Sequence, residues 1–214
     1  MSDSVCIWLA RHGETDWNVA SRIQGSLDIP LNHTGTRQAE CVARRLAEAP
    51  IHAIYSSPLS RAFQTASPLA RRLDLGVLSV SGLAERHFGE LQGKTPAEIA
   101  QEDAALHARW QSRDPHFLPR GGESLLQFHD RVVSTMDQII SQRLGQTIAI
   151  FTHGGVLDTL YRHASDLHLS VPRAWSIKNA SIHQFTGRVD SLCIEAWGLV
   201  DHLDNTDQRD ELRQ

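Results

Sequence analysis

Arg11-His12-Gly13 follows the apolar stretch VCIWLA without a break, and a second histidine, His153, follows another such stretch, TIAIFT, with Gly154 and Gly155 behind it. A further cation, Arg61, stands just past a third stretch, IHAIYS. Guanidiniums beside imidazoles suit an anion. A neutral imidazole can also attack phosphorus through one ring nitrogen, provided a hydrogen bond holds the other nitrogen's N–H and so fixes the tautomer. Two arginines can stabilise the equatorial oxygens of a transferring phosphoryl group without a metal. Glycines at a helix start leave its N–H groups open to the same anion. The leaving alkoxide needs a proton, and the segment LAERHFGELQG offers Glu85 and Glu90 as donors. Chemistry alone does not choose between these two carboxyls.

Residues this far apart in sequence must be brought together by the fold. Each of the three apolar stretches has strand length and is followed by a polar turn and a helical pattern, which means parallel strands joined by crossover helices in an α/β fold. A parallel sheet places Arg11, His12, Arg61 and His153 on one edge, where open α/β sheets bind ligands. GVLSV at 76–80 reads as a fourth strand, and ASIHQF with SLCIEAW as a hairpin around Thr186-Gly187-Arg188 that adds edge strands. After Thr34, Ala39, Val42, Ala43 and Leu46 fall at helical spacing, and Pro50 closes that segment. A helix over 59–73 should be kinked or interrupted by Pro68. From Gly122 onward, Leu125, Phe128, Val132, Met136, Ile139 and Ile140 form one stripe on the longest helix, whose His129 reads as a surface or packing residue. Residues 93–121 have mixed charge, Pro96, Pro115 and Pro119, and weak periodicity, so they read as an insertion lying over one end of the sheet.

Bulk properties exclude several classes. The 214 residues suit a single domain, expected over 1–200, with a polar tail over 201–214. A formal net charge of -4, with Lys and Arg scattered in pairs such as Arg44-Arg45, argues against nucleic acid as a partner. Asp3 and a six-residue apolar run ending at Arg11 make neither a signal peptide nor a membrane span, so no membrane and a cytoplasmic location are expected. Cys6, Cys41 and Cys193 lack C-x-x-C spacing and read as reduced thiols. No H-x-x-x-H pair backed by carboxylates suggests zinc, and no G-x-S-x-G suggests a serine hydrolase.

Four blocks in order, LARHGETDWN, SSPLSRAFQTA, LAERHFGELQG and FTHGG, resemble the histidine phosphatase superfamily with its phosphoglycerate mutase-like fold. The resemblance implies a three-layer α/β/α sandwich with a mostly parallel central sheet, no cofactor and no metal. It implies a phosphohistidine intermediate on His12, with Arg11 and Arg61 in the phosphate pocket, His153 as the second histidine and Glu85 as the proton donor. Asn18, Gln24, Gly25 and Gly154 match positions that line the pocket.

Three functions fit: a phosphatase, a mutase that returns phosphate to another hydroxyl of the same sugar acid, and a binding module that keeps only the fold. A binding module should lose the nucleophile or the acid, and here all five residues are present. His153-Gly154-Gly155 differs from the His-Gly-Asn of cofactor-dependent mutases, the 93–121 insertion is short beside theirs, and GGES at 121–124 resembles a block of the family's phosphatases. ERHFGELQG instead resembles the mutase version. Hydrolysis of a small phosphorylated metabolite is therefore the expected activity. Specificity should come from residues 86–120, where Arg86, His87, Lys94, Arg109, Arg113 and Arg120 could meet a carboxylate or a second phosphate. The oligomeric state is left open, with a homodimer admissible.

Overall fold

The first strand, β1 (Val5–Arg11), is buried along most of its length because it runs through the middle of a sheet. In the computed structural model, which describes residues 3–203, six strands are ordered β3-β2-β4-β1-β5-β6. The remaining strands are β2 (Ala53–Ser56), β3 (Val77–Ser79), β4 (Thr147–Thr152), β5 (Ile182–Arg188) and β6 (Ser191–Leu199). β1 to β4 are parallel, while β5 pairs antiparallel with both β1 and β6.

Period-two alternation sorts the strand side chains onto two faces. Ile7, Leu9, Ile148 and Ile150 face α6 (Leu125–Gln142) and α7 (Gly154–Ala164), packing with Val132, Met136, Leu157 and Leu160. Ala10, Ile54, Ala149 and Phe151 face α2 (His33–Leu46) and α3 (Ser60–Leu73), packing with Val42, Leu46, Ala66 and Leu69. The result is the expected α/β/α sandwich with a mostly parallel sheet. Short α1 (Asp16–Val19) follows β1, and the insertion folds as α4 (Pro96–Glu102) and α5 (Ala104–Gln111), with its own small core of Leu91, Ile99 and Phe117.

Three local expectations are corrected. Pro68 does not interrupt α3, because burial of Ala62, Ala66, Leu69 and Ala70 outweighs the roughly 3 kcal/mol cost of a mid-helix proline. Thr186-Gly187-Arg188 is strand, and the hairpin turns instead at Val189-Asp190, where Asp190 takes a φ of 61°. β5 is not an edge strand but lies between β1 and β6. Of the segment expected as a tail, Leu203 is buried in the α2–α3 core, and 204–214 lie outside the described residues.

Candidate active site

Because β4 lies between β2 and β1, the residues just past these three strands, His12, Ser57 and His153, meet at one sheet edge. The ladder runs one step beyond the strands: the His12 N–H donates to the Thr152 carbonyl at 2.9 Å and the Ser57 N–H to the Phe151 carbonyl at 3.0 Å. The two imidazole centroids are 5.2 Å apart.

His12 Nδ1 lies 2.7 Å from the Gly13 carbonyl oxygen. A carbonyl can only accept, so Nδ1 carries the proton and Nε2 keeps its lone pair. Burial holds the His12 pKa well below the ordinary histidine value, Arg61 and Arg11 add to the effect, and the Gly13 bond opposes it. The ring is neutral at neutral pH. Burial likewise depresses His153, with Arg61, His12, Arg11 and Arg131 acting in the same direction. Its Nε2 is 2.7 Å from Ser57 Oγ, whereas its buried Nδ1 has no hydrogen-bond partner.

Arg11 and Arg61 are both buried and anchored. Arg11 Nη1 donates to the Ile177 carbonyl at 2.6 Å. Arg61, at the start of α3, donates from Nη1 to Leu27 O at 2.8 Å and from Nη2 to Gly25 O at 2.6 Å, which fixes the loop carrying Gln24 and Gly25. Thr65 Oγ1, one turn along α3, donates to the Arg61 carbonyl and accepts from the Gly13 N–H, joining α3 to the turn after β1.

Glu85 is held at both oxygens: Oε2 accepts from the Gly155 N–H at 2.9 Å and Oε1 from the Arg86 N–H at 2.8 Å. A Cβ on residue 155 would stand 2.2 Å from Glu85 Oε1, so the second glycine of His-Gly-Gly is what admits the carboxyl. Glu90 points elsewhere, accepting from the Arg120 N–H and pairing with its guanidinium. Asn18 is buried, its Oδ1 accepting from the Thr15 N–H and hydroxyl.

A cavity of about 320 Å³ opens at this edge, with Arg11, His12, Asn18, Arg61, Glu85 and Gly154 in its wall and Gln24 and Gly25 beside them. His153 sits against His12 without lining the cavity. Of the six residues expected to tune specificity, Arg86 and Arg113 line it; His87, Lys94, Arg109 and Arg120 do not. Lys94 pairs with Glu102, and Arg109 lies over the Phe117 ring. Arg113 is tied to α7 through Asp158 at 3.0 Å. Burial draws Arg86 down to about 10, with nearby Arg113 acting the same way and Glu123 and Glu85 opposing.

Several residues escaped the sequence reading. Ser57 directly follows β2 as His12 follows β1 and His153 follows β4, a signal that could have found it. Asn179 Nδ2 reaches the His12 carbonyl at 3.2 Å and Asn18 Oδ1 at 3.3 Å from the loop before β5, where no pattern announces it. Among the described residues no group of three or more His, Cys, Asp or Glu could hold a metal ion, and no helix is long and apolar enough to cross a membrane.

Comparison with known proteins places the chain among named relatives. The chain is 39% identical over 206 residues to phosphoglycerate mutase-like protein 4 of Arabidopsis thaliana, covering 94% of this chain and 87% of that one. It is 39% identical over 201 residues to the metal-independent phosphoserine phosphatase of the same plant, covering 92% and 82%. The phosphoserine phosphatase of Entamoeba histolytica, solved in complex with 3-phosphoglyceric acid, superposes with a TM-score of 0.83 at 28% identity, over 94% of this chain and all of that one (100%). The model of the histidine phosphatase superfamily (branch 1) matches residues 7–199, and the chain belongs to that superfamily.

Proposed function

We propose that this protein is a phosphatase that hydrolyses small phosphomonoesters through a phosphohistidine on His12, in a single domain over 1–200. The observation that carries the reading is the neutral His12 ring, with Nδ1–H held by Gly13 O and Nε2 left as the nucleophile beside two buried arginines. His12 Nε2 attacks phosphorus, the P–O ester bond breaks with its electrons going to the leaving oxygen, and Glu85 supplies the proton. Arg11 and Arg61 line the cavity where the equatorial oxygens are to be held, with the buried Nδ1 of His153 behind, against His12, so the positive charge this step needs comes from protein groups. Water, giving its proton to Glu85, then attacks the phosphohistidine, breaks the P–N bond and releases phosphate. Asn18, Gln24, Gly25 and Gly154 shape the pocket.

The relatives' names supply the substrate class: phosphoserine and phosphoglycerate, small phosphorylated metabolites. The three cysteines, none of them in a disulfide, support a cytoplasmic setting. The test is to supply 3-phosphoglycerate with 2,3-bisphosphoglycerate, and separately phosphoserine, in excess chelator while following free phosphate and 2-phosphoglycerate. Phosphate release without isomer formation is expected. Isomerisation far outrunning release would make the protein a mutase, and loss of activity restored by a divalent ion would overturn the metal-free chemistry.

A further inference from the structure

Ser57, just past β2, is tied to the second histidine. Both residues are wholly buried. Among the described residues Ser57 Oγ has two hydrogen-bond partners: the Leu59 N–H, which donates to it at 3.2 Å, and His153 Nε2 at 2.7 Å. The first contact follows from local sequence. Pro58 has no N–H, so Leu59 supplies the first one beyond the serine, and the hydroxyl closes a turn on it. The second contact crosses from the end of β2 to the end of β4, its neighbour in the sheet.

The proton count decides the direction of that second bond. A serine hydroxyl has one proton to give, and with a backbone N–H already donating to Oγ, the acceptor left for that proton is His153 Nε2. A protonated Nε2 would instead donate to Oγ and leave the Ser57 proton buried without an acceptor, which buried polar groups avoid. Burial, and after it Arg61, His12 and Arg11, keep the His153 ring neutral at neutral pH. The ring therefore has a single proton, and it sits on Nδ1. The other end of the ring agrees. Nδ1 stands at the head of α7, where a lone pair could accept a helix N–H as the side chains of Thr15, Asn32 and Ser124 do at the heads of theirs. It makes no such bond and has no other hydrogen-bond partner among the described residues. We infer that Ser57 is a positioning residue of this reaction, holding His153 as the Nδ1–H tautomer and so making that ring a neutral hydrogen-bond donor to the phosphoryl group on neighbouring His12. The two ring centroids are 5.2 Å apart, which puts that group within reach of the Nδ1 proton. The inference rests on the phosphatase reading above and adds where the His153 proton sits and which residue keeps it there.

The test reads the proton directly, by NMR of enzyme isotopically labelled at the histidine ring nitrogens. The His153 ring, identified by the signals missing from His153→Ala, should show a protonated Nδ1 and an unprotonated Nε2 at neutral pH. In Ser57→Ala the same ring should show a protonated Nε2 as well, while the other histidine signals stay in place. Hydrolysis of p-nitrophenyl phosphate gives the second readout. Its kcat/KM should fall by about 10–100-fold in Ser57→Ala, because a donor aimed at developing charge has been loosened but not removed. Once His153→Ala has been made, Ser57→Ala should cost nothing further, since a residue that acts through His153 has nothing left to position. A merely structural role would lower the double variant again. A wild-type His153 proton on Nε2, an unchanged tautomer or rate in Ser57→Ala, or losses that multiply in the double variant overturns the inference. If Ser57→Ala does not fold, the wild-type ring spectrum decides alone. Failure of the wild type to hydrolyse p-nitrophenyl phosphate would instead overturn the phosphatase reading, with the ring spectra still deciding whether Ser57 sets the tautomer.

Discussion

At the residue scale, the account rests on two side chains with opposite tasks, His12 to attack and Glu85 to protonate. Glu85→Gln keeps the shape and, through its one amide oxygen, can still accept one of the two N–H groups of Gly155 and Arg86, but it cannot give up an acidic proton. It should slow phosphoserine hydrolysis by about 10²–10⁴ and p-nitrophenyl phosphate hydrolysis far less, because p-nitrophenolate leaves without help. Steady-state kinetics on both substrates checks this, and equal losses would move the acid role off Glu85. Much of this scale was legible in sequence, because a residue at or directly after the end of a parallel strand has one place to go: Arg11 closes β1, and His12 and His153 directly follow β1 and β4. The choice of Glu85 over Glu90 was not legible from chemistry. It depends on backbone N–H groups, Gly155 and Arg86 on one side and Arg120 on the other, that no residue type reveals. Asn179 was missed for a related reason: its loop has no period, and its contacts form only when β5 docks on β1.

At the element scale, the site is an outcome of strand order. Placing β4 between β1 and β2 brings both histidines together, and the helices on each face hold that order. α6 shows how local sequence secures one layer: Ser124 accepts from the Gln127 N–H while the Gln127 side chain accepts from the Ser124 N–H, a reciprocal cap at the head of an 18-residue helix. Ser124→Ala should cost about 1 kcal/mol of unfolding free energy, read from urea denaturation, and an unchanged midpoint would show the cap to be idle. The helices and the parallel strands could be read from periodicity. The hairpin turn could not, because Gly187 imitates a turn residue. It is in fact a strand glycine with Ile140 and Ile7 side chains packed where a Cβ would stand, at 2.7 and 3.0 Å.

At the scale of the whole molecule, three buried neutral histidines couple stability to pH. His183 Nδ1 accepts the Gly198 N–H, so a second ring proton has no place to sit, and burial with nearby Arg11 lowers its pKa to about 3. Unfolded, the same ring titrates near 6.5. Below that value the unfolded chain binds a proton the folded one refuses, so stability present in full above pH 6.5 is lost as pH falls toward 3. His12 and His153 shift in the same direction. Unfolding free energy should therefore drop by at least about 2 kcal/mol between pH 7.5 and 5.0, the share expected of His183 alone, and His183→Gln should remove about that much of the difference. Urea titrations at the two pH values decide it, and a stability indifferent to pH over this range would contradict the buried, neutral assignment.

The claim on which the rest depends is the covalent one, that phosphate passes through His12 Nε2. Brief incubation with radiolabelled O-phosphoserine, followed by denaturing quench, should leave label on the protein that is stable in alkali, lost in acid, and absent from His12→Ala. Label that survives acid, or label that persists in His12→Ala, would contradict the account.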